Sequence, residues 1–301
     1  MLTFLPAPLI GVIALVLYSL SLMIIATMLL IVGLLALIIP YKPWKNALNW
    51  LSHTLLPNSW VAMNNGIMRL TTRTQWVVES ADSLDANGWY LVVCNHQSWL
   101  DILVLESVFY HKLPMLKFFM KKALLWMLPI AGVVCWMLGF PFMQRYSKSF
   151  LKKHPEKKGK DIETTRRACE KFKDQPIAII NFVEGTRFTP EKQQRMASSY
   201  QHLLTPRAGS FAFAMAAMQN HLRGVIDTTI IYPEPNTTFW RFLCGKVTKI
   251  IVCYRVLPIK PELKGDIDND PEFSRRFQLW LNEIWRHKDA LITTVLKNQT
   301  Q

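Results

Sequence analysis

Residues 1–41 contain no Asp, Glu, Lys, Arg or His, and from Leu9 to Ile39 the chain is almost continuously apolar. A helix that crosses a bilayer needs about 20 such residues. The run is long enough to cross once with length to spare, or to enter one leaflet as a hairpin and return; the sequence leaves both open. A secretory leader has a basic start and a short apolar core. Here no Lys or Arg precedes the run and the run is too long, so a retained anchor is expected. The first basic residues after it are Lys42, Lys45, Arg69 and Arg73. By the positive-inside rule they place the rest of the chain in the cytoplasm.

Composition supports a membrane setting. Half of the 301 residues are hydrophobic and the formal net charge is +14. That combination favours anionic lipid or acidic substrates as partners. Residues 145–173 carry eleven Lys/Arg against four Asp/Glu, without the interleaved aromatics of a nucleic-acid site. The segment is therefore read as a basic surface that favours anionic membrane lipid, and no nucleic-acid partner is expected. The five cysteines, Cys94, Cys135, Cys169, Cys244 and Cys253, form no CxxC pair and no zinc spacing, so no metal is expected and they are read as reduced thiols.

A second apolar run, 123–143, is long enough for another span, but basic residues flank it on both sides. Pro129, Gly132, Gly139 and Pro141 would also break a straight helix there. Beyond the anchor, 89–94, 176–183, 224–232 and 249–256 read as buried strands. Helical patterns follow Ser98 and cover 161–173, 209–219 and 271–291. Strands alternating with helices predict an α/β domain with a largely parallel or mixed sheet flanked by helices, behind a membrane-embedded N-terminal helical segment.

His96 stands just past the end of the first predicted strand, before a helix, which is where open α/β sheets bind ligands. Asp101 lies in the first turn of that helix. It has two possible tasks: closing a capping box with Ser98, or holding one nitrogen of His96 so that the other acts as a base. No GxSxG nucleophile elbow is present. A His–Asp pair without a protein nucleophile suits attack by a substrate hydroxyl. The alternatives are attack by water, giving a lysophospholipase or thioesterase, and a non-enzymatic protein that docks on anionic membrane.

"NHQSWLD" (95–101) resembles the first signature of the glycerolipid acyltransferase family, the PlsC-like enzymes that acylate lysophosphatidic acid. "GFPFMQR" (139–145) resembles the second block, "FVEGTR" (182–187) the third, and "GVIDTTIIY" (224–232) sits where the fourth is expected. Four blocks in order are far more specific than any one. The third block has Val183 where the family usually has Pro, and the fourth lacks the usual Val-Pro.

The resemblance implies a bacterial inner-membrane enzyme with its catalytic domain facing the cytoplasm. It divides the chain into an anchor (1–41), an amphipathic, basic connection (42–84) and an acyltransferase domain (85–301) that includes a basic surface segment (143–175). It implies a catalytic dyad of His96 and Asp101. Gly139, Phe142, Arg145, Glu184, Gly185, Thr186 and Arg187 would form the acceptor site, and "TPRAGS" (205–210) is read as closing it. The acyl donor would be acyl-CoA or acyl carrier protein, arriving as a substrate, with no bound cofactor. The acceptor would be a lysophospholipid: lysophosphatidic acid first, lysophosphatidylglycerol next. Because His96 and Glu184 must share one site, the run 123–143 is expected not to cross the bilayer.

Overall fold

The structure is a computed structural model. It describes the chain apart from residues 1, 3, 40, 81, 122–123, 128, 144–175, 219–220, 266–269 and 301. The predicted helix 161–173, Arg145 and most of the basic segment therefore lie outside the described residues.

The N-terminal run forms one helix, α1 (Ala7–Ile38), of 32 residues, or about 48 Å. Pro8 opens it within the first turn, where a missing N–H costs nothing, and Ile39, the residue before Pro40, is extended. The chain then turns back through α2 (Lys42–Trp50), a π turn (Leu51–Leu55) and α3 (Leu56–Thr71). The π turn lies directly below Pro57, whose ring and missing N–H oppose a regular α turn there.

The returning helices lie against α1, so the start of the chain meets the end of α3. The Leu2 amide donates to the Leu70 carbonyl at 2.9 Å, and Ser21 Oγ donates to Asn64 Oδ1 at 3.4 Å inside the pair. A buried stripe on α1, including Ile10, Ala14, Ser21, Ile25, Leu29 and Val32, follows helical spacing and faces the protein. The opposite side exposes Leu15, Leu20, Ile24, Ile31 and Leu34 among others.

Six strands form the main sheet: β1 (Gln75–Glu79), β2 (Trp89–Cys94), β3 (Leu116–Phe118), β6 (Ala178–Asn181), β7 (Leu222–Ile231) and β8 (Lys249–Leu257). Their order is β1-β8-β7-β2-β6-β3, parallel throughout except for the antiparallel pair β7/β8. The expected α/β class with a mixed sheet is the one observed. The connection 42–84 supplies α2, α3 and the edge strand β1. A two-residue ladder, β4 (Met120–Lys121) with β5 (Phe142–Met143), lies apart from the main sheet.

β2 runs through the centre, with Leu91, Val92 and Val93 wholly buried. Its period of two feeds two cores. Leu91 and Val93 join Ile179 and Val225 beneath α8 (Gly209–Met218) and α10 (Pro271–Thr300). Tyr90, Val92 and Cys94 join Ile180 and Ile226 beneath α4 (Leu100–Phe109) and α9 (Phe239–Leu243), with Ala14 of α1 in the same cluster. Helix α10 runs beyond the predicted end at 291 because Ile292 continues its buried stripe.

Within the run 123–143 the described residues form two short helices, α5 (Leu124–Met127) and α6 (Pro129–Met137), neither long enough by itself to cross a membrane. A Cβ at Gly132 would lie 2.5 Å from the Leu125 carbonyl oxygen, so the two helices approach at backbone contact. Val134 and Leu138 complete a third core with Ile25, Leu29 and Val32 of α1 and Leu48 and Leu56 of the returning helices. Between α7 (Pro190–Arg195) and the sheet runs the loop that carries the third block.

Candidate active site

The carboxyl end of β2 delivers Asn95 and His96 between β6 and β7. Asn95 acts as an extra rung of the sheet: its Nδ2 donates to the Ile230 carbonyl and its Oδ1 accepts from the Ile230 amide, both at 2.9 Å. This fixes the point where the backbone leaves the strand. His96 follows, with its side chain 16% exposed.

Asp101 reaches both partners that the sequence offered it, His96 and Ser98. Its Oδ2 lies 2.7 Å from His96 Nδ1 and accepts from the amides of Gln97 (2.6 Å) and Ser98 (2.9 Å). Ser98 Oγ in turn accepts from the Leu100 amide at 3.3 Å. Asp101 Oδ1 accepts from the Tyr232 hydroxyl at 2.7 Å. The tautomer with Nδ1–H donating to Asp101 completes this set of donors on the buried carboxyl and leaves Nε2 as the ring's acceptor. The His96 ring is also stacked on Phe182, with centroids 4.1 Å apart and planes 19° from parallel.

The third block wraps around the same histidine. Glu184 Oε1 accepts from the His96 amide at 3.0 Å and Oε2 from the Leu204 amide at 2.8 Å. Burial pushes its carboxyl up to about 8, against those two N–H donors. Gly185 turns the chain at φ 74°, a left-handed conformation that disfavours any side chain. Lys192 Nζ donates to Thr186 Oγ1 (3.0 Å) and the Arg187 carbonyl (2.8 Å). The Phe188 amide donates to the His96 carbonyl at 2.7 Å. The Arg187 guanidinium lies over the Trp99 ring, 4.8 Å from its centroid.

The second block reaches the site through rings. Gly139, at φ 72°, ends α6 and aims the chain so that Phe140 stacks near Phe118 (6.4 Å), which stacks near Phe182 (6.1 Å) against His96. Phe142 pairs in register with Met120. Arg145 lies outside the described residues. The segment 205–210 joins the site's frame: the Arg207 amide donates to the Val183 carbonyl, and Asn181 Nδ2 donates to Ser210 Oγ.

Tyr232, Trp99, Phe182 and Lys192 are in the site but were not singled out by sequence reasoning. Tyr232 had a signal: it is the first residue past β7, the parallel neighbour of β2, and β7 runs on past Thr228, which is level with the end of the histidine strand at Cys94. Among the described residues no group of three or more His, Cys, Asp or Glu forms a metal-binding set.

Behind α4 lies a cavity of about 190 Å³ walled by α1, α3, α4 and α6, with Leu29, Trp60, Val134 and Phe140 in its lining. Glu106, five residues beyond Asp101, faces it. Its Oε2 has no hydrogen-bond partner among the described residues, and burial pushes the carboxyl up to about 8.

The sequence pattern of the Acyltransferase family matches residues 75–233, more than half of the chain. The chain is 29% identical to 1-acyl-sn-glycerol-3-phosphate acyltransferase 2 of Arabidopsis thaliana over 216 residues, 67% of this chain and 50% of that protein. It is 27% identical to the human delta enzyme of the same name over 211 residues, 66% of this chain and 51% of that one. The chain thus spans about half the length of these relatives. The crystal structure of the 1-acyl-sn-glycerophosphate acyltransferase PlsC from Thermotoga maritima superposes over 93% of this chain and 98% of that one, with a TM-score of 0.49 and 16% identity. With its family pattern covering every strand of the site from β1 to β7, the chain belongs to the Acyltransferase family.

Proposed function

We propose that the protein transfers a fatty acyl group from acyl-CoA or acyl carrier protein to the free hydroxyl of lysophosphatidic acid, giving phosphatidic acid. The observation that carries this reading is the His96–Asp101 pair, with its carboxylate locked on three further donors and the lone pair of Nε2 left for substrate. Nε2 takes the proton of the acceptor hydroxyl as its oxygen attacks the thioester carbonyl carbon. The tetrahedral intermediate collapses, the C–S bond breaks, and the imidazolium returns its proton to the departing thiolate. Arg187, joined by Arg145, holds the acceptor's phosphate, since a planar guanidinium matches phosphate oxygens. Acyltransferases of the same family whose printed names specify 1-acyl-sn-glycerol-3-phosphate support this acceptor.

The apolar cavity behind α4 suits an acyl chain, and the row of rings Phe140–Phe118–Phe182 joins its wall to His96. The exposed apolar side of α1 and the exposed Trp126, Met127 and Trp136 of α5 and α6 support membrane attachment. The returning α2 and α3 carry Lys42, Lys45, His53 and Arg69, too polar for a second crossing. The hairpin is therefore read as entering one leaflet of the bacterial inner membrane from the cytoplasmic side, where the basic segment 143–175 meets anionic lipid.

The test supplies lysophosphatidic acid and acyl-CoA to membranes carrying wild type or His96→Ala, and follows phosphatidic acid and free fatty acid by mass spectrometry. Phosphatidic acid from wild type alone is expected. Free fatty acid formed equally with and without the acceptor would make the protein a hydrolase, and equal product from both proteins would remove His96 as the base.

A further inference from the structure

We infer that Trp99 is a positioning residue: its ring holds the Arg187 guanidinium ready for an anionic acceptor, and so sets the affinity for acceptors bearing a phosphate. The inference rests on the acyltransferase reading for the identity of that acceptor.

The geometry divides the guanidinium between two partners. The cation lies over the face of the indole at 4.8 Å, within the range of a favourable cation–π contact. That contact spends no N–H donor on an acceptor oxygen, and among the described residues the Arg187 side chain makes no hydrogen bond or ion pair. Its five N–H donors, the edge a phosphate uses, stay available.

Both ends of this contact are fixed to the histidine. Trp99 immediately precedes α4, in the turn closed by Asp101 through the Ser98 amide and by Ser98 through the Leu100 amide. Arg187 is held through its carbonyl by Lys192 and, one residue on, by the Phe188 amide on the His96 carbonyl. Only the long side chain of Arg187 is left to order. An unrestrained arginine loses rotamer freedom when it captures a ligand, and that loss weakens binding. A stacked one has largely lost it already. Trp99 itself is 43% exposed, so it has no large place in the core to defend. An exposed tryptophan in the His96 turn is accounted for by its partner.

The experiment uses the full chain in detergent micelles with lysophosphatidic acid as the varied substrate at saturating acyl-CoA. Trp99→Ala is expected to raise KM for lysophosphatidic acid about fivefold while kcat falls less than twofold. Trp99→Phe, which keeps a weaker ring face, should recover part of that loss. In an Arg187→Ala background, Trp99→Ala should add no further rise in KM, since the two act through one contact. An unchanged KM in Trp99→Ala, a loss confined to kcat, or an equal rise in KM in the Arg187→Ala background would each overturn the inference. Equilibrium binding of lysophosphatidic acid to the same five proteins separates the two readings. Trp99-dependent binding without turnover would sustain the role of Trp99 and sink the acyltransferase. Turnover with affinity indifferent to Trp99 would do the reverse.

Discussion

Asp101 is the most heavily committed side chain of the site. Its Oδ2 closes the turn before α4 on the Gln97 and Ser98 amides and meets His96 Nδ1, and its Oδ1 accepts from Tyr232. Tyr232→Phe removes one donor and leaves Oδ1 buried without it. A lost hydrogen bond to a charged group is worth about 1.5–3 kcal/mol, and part of that will appear as a roughly tenfold lower kcat with KM for the acceptor unchanged. Steady-state kinetics on the purified variant decides it. Glu184 has a different character: it is buried, and its two oxygens receive two backbone amides. In Glu184→Gln one of those amides must face an NH2 group, which is expected to cost about 1–3 kcal/mol, read by denaturant unfolding. His96 was legible because it follows a strand end, Asp101 because it falls in the first turn of the next helix, and Glu184 through the resemblance of 182–187 to the family's third block. Their partners were not, because Trp99 and Tyr232 belong to a site only once β2, β6 and β7 are side by side.

At the scale of elements, the strands that the sequence announced are the central ones. β2, β6 and β7 are buried on both faces and read as unbroken apolar runs. β1 and β3 went unseen because an edge strand of five or three residues carries too little pattern to register. The break in 123–143 was legible from its prolines and glycines, but the reason for Gly132 was not: it is the point where α5 and α6 touch. Gly132→Ala sets a methyl against the backbone of residue 125, where no side chain can move aside, and is expected to destabilise by about 1–3 kcal/mol. Loss of the helix pair's protease protection in the variant, compared with wild type, measures it.

At the scale of the whole molecule, burial raises two carboxyls among the described residues, Glu106 and Glu184, each from 4.5 to about 8. Both bind a proton more tightly folded than unfolded. Their contribution is complete below pH 4.5 and is lost as pH rises through 8, so stability should decline across that window. Glu106→Gln is expected to flatten the decline, as read by unfolding midpoints between pH 5 and pH 8; an unchanged slope would refute the assignment. The N-terminal hairpin makes a second prediction. Reporters fused to the two ends of the chain should sit in the same compartment, because Leu2 is bonded to Leu70 and Gly11 packs on Cys244 and Trp240 at the edge of the sheet domain. Reporters in opposite compartments would mean that α1 crosses.

That same packing has a consequence for how the protein is made. Helix α1 leaves the ribosome well before its seats on α6 and α9, which are synthesised more than 90 and 200 residues later. At about 5–20 residues per second, it waits on the order of ten seconds or more with its buried stripe unfilled. On the membrane-attached reading proposed above, lipid would cover that stripe in the meantime.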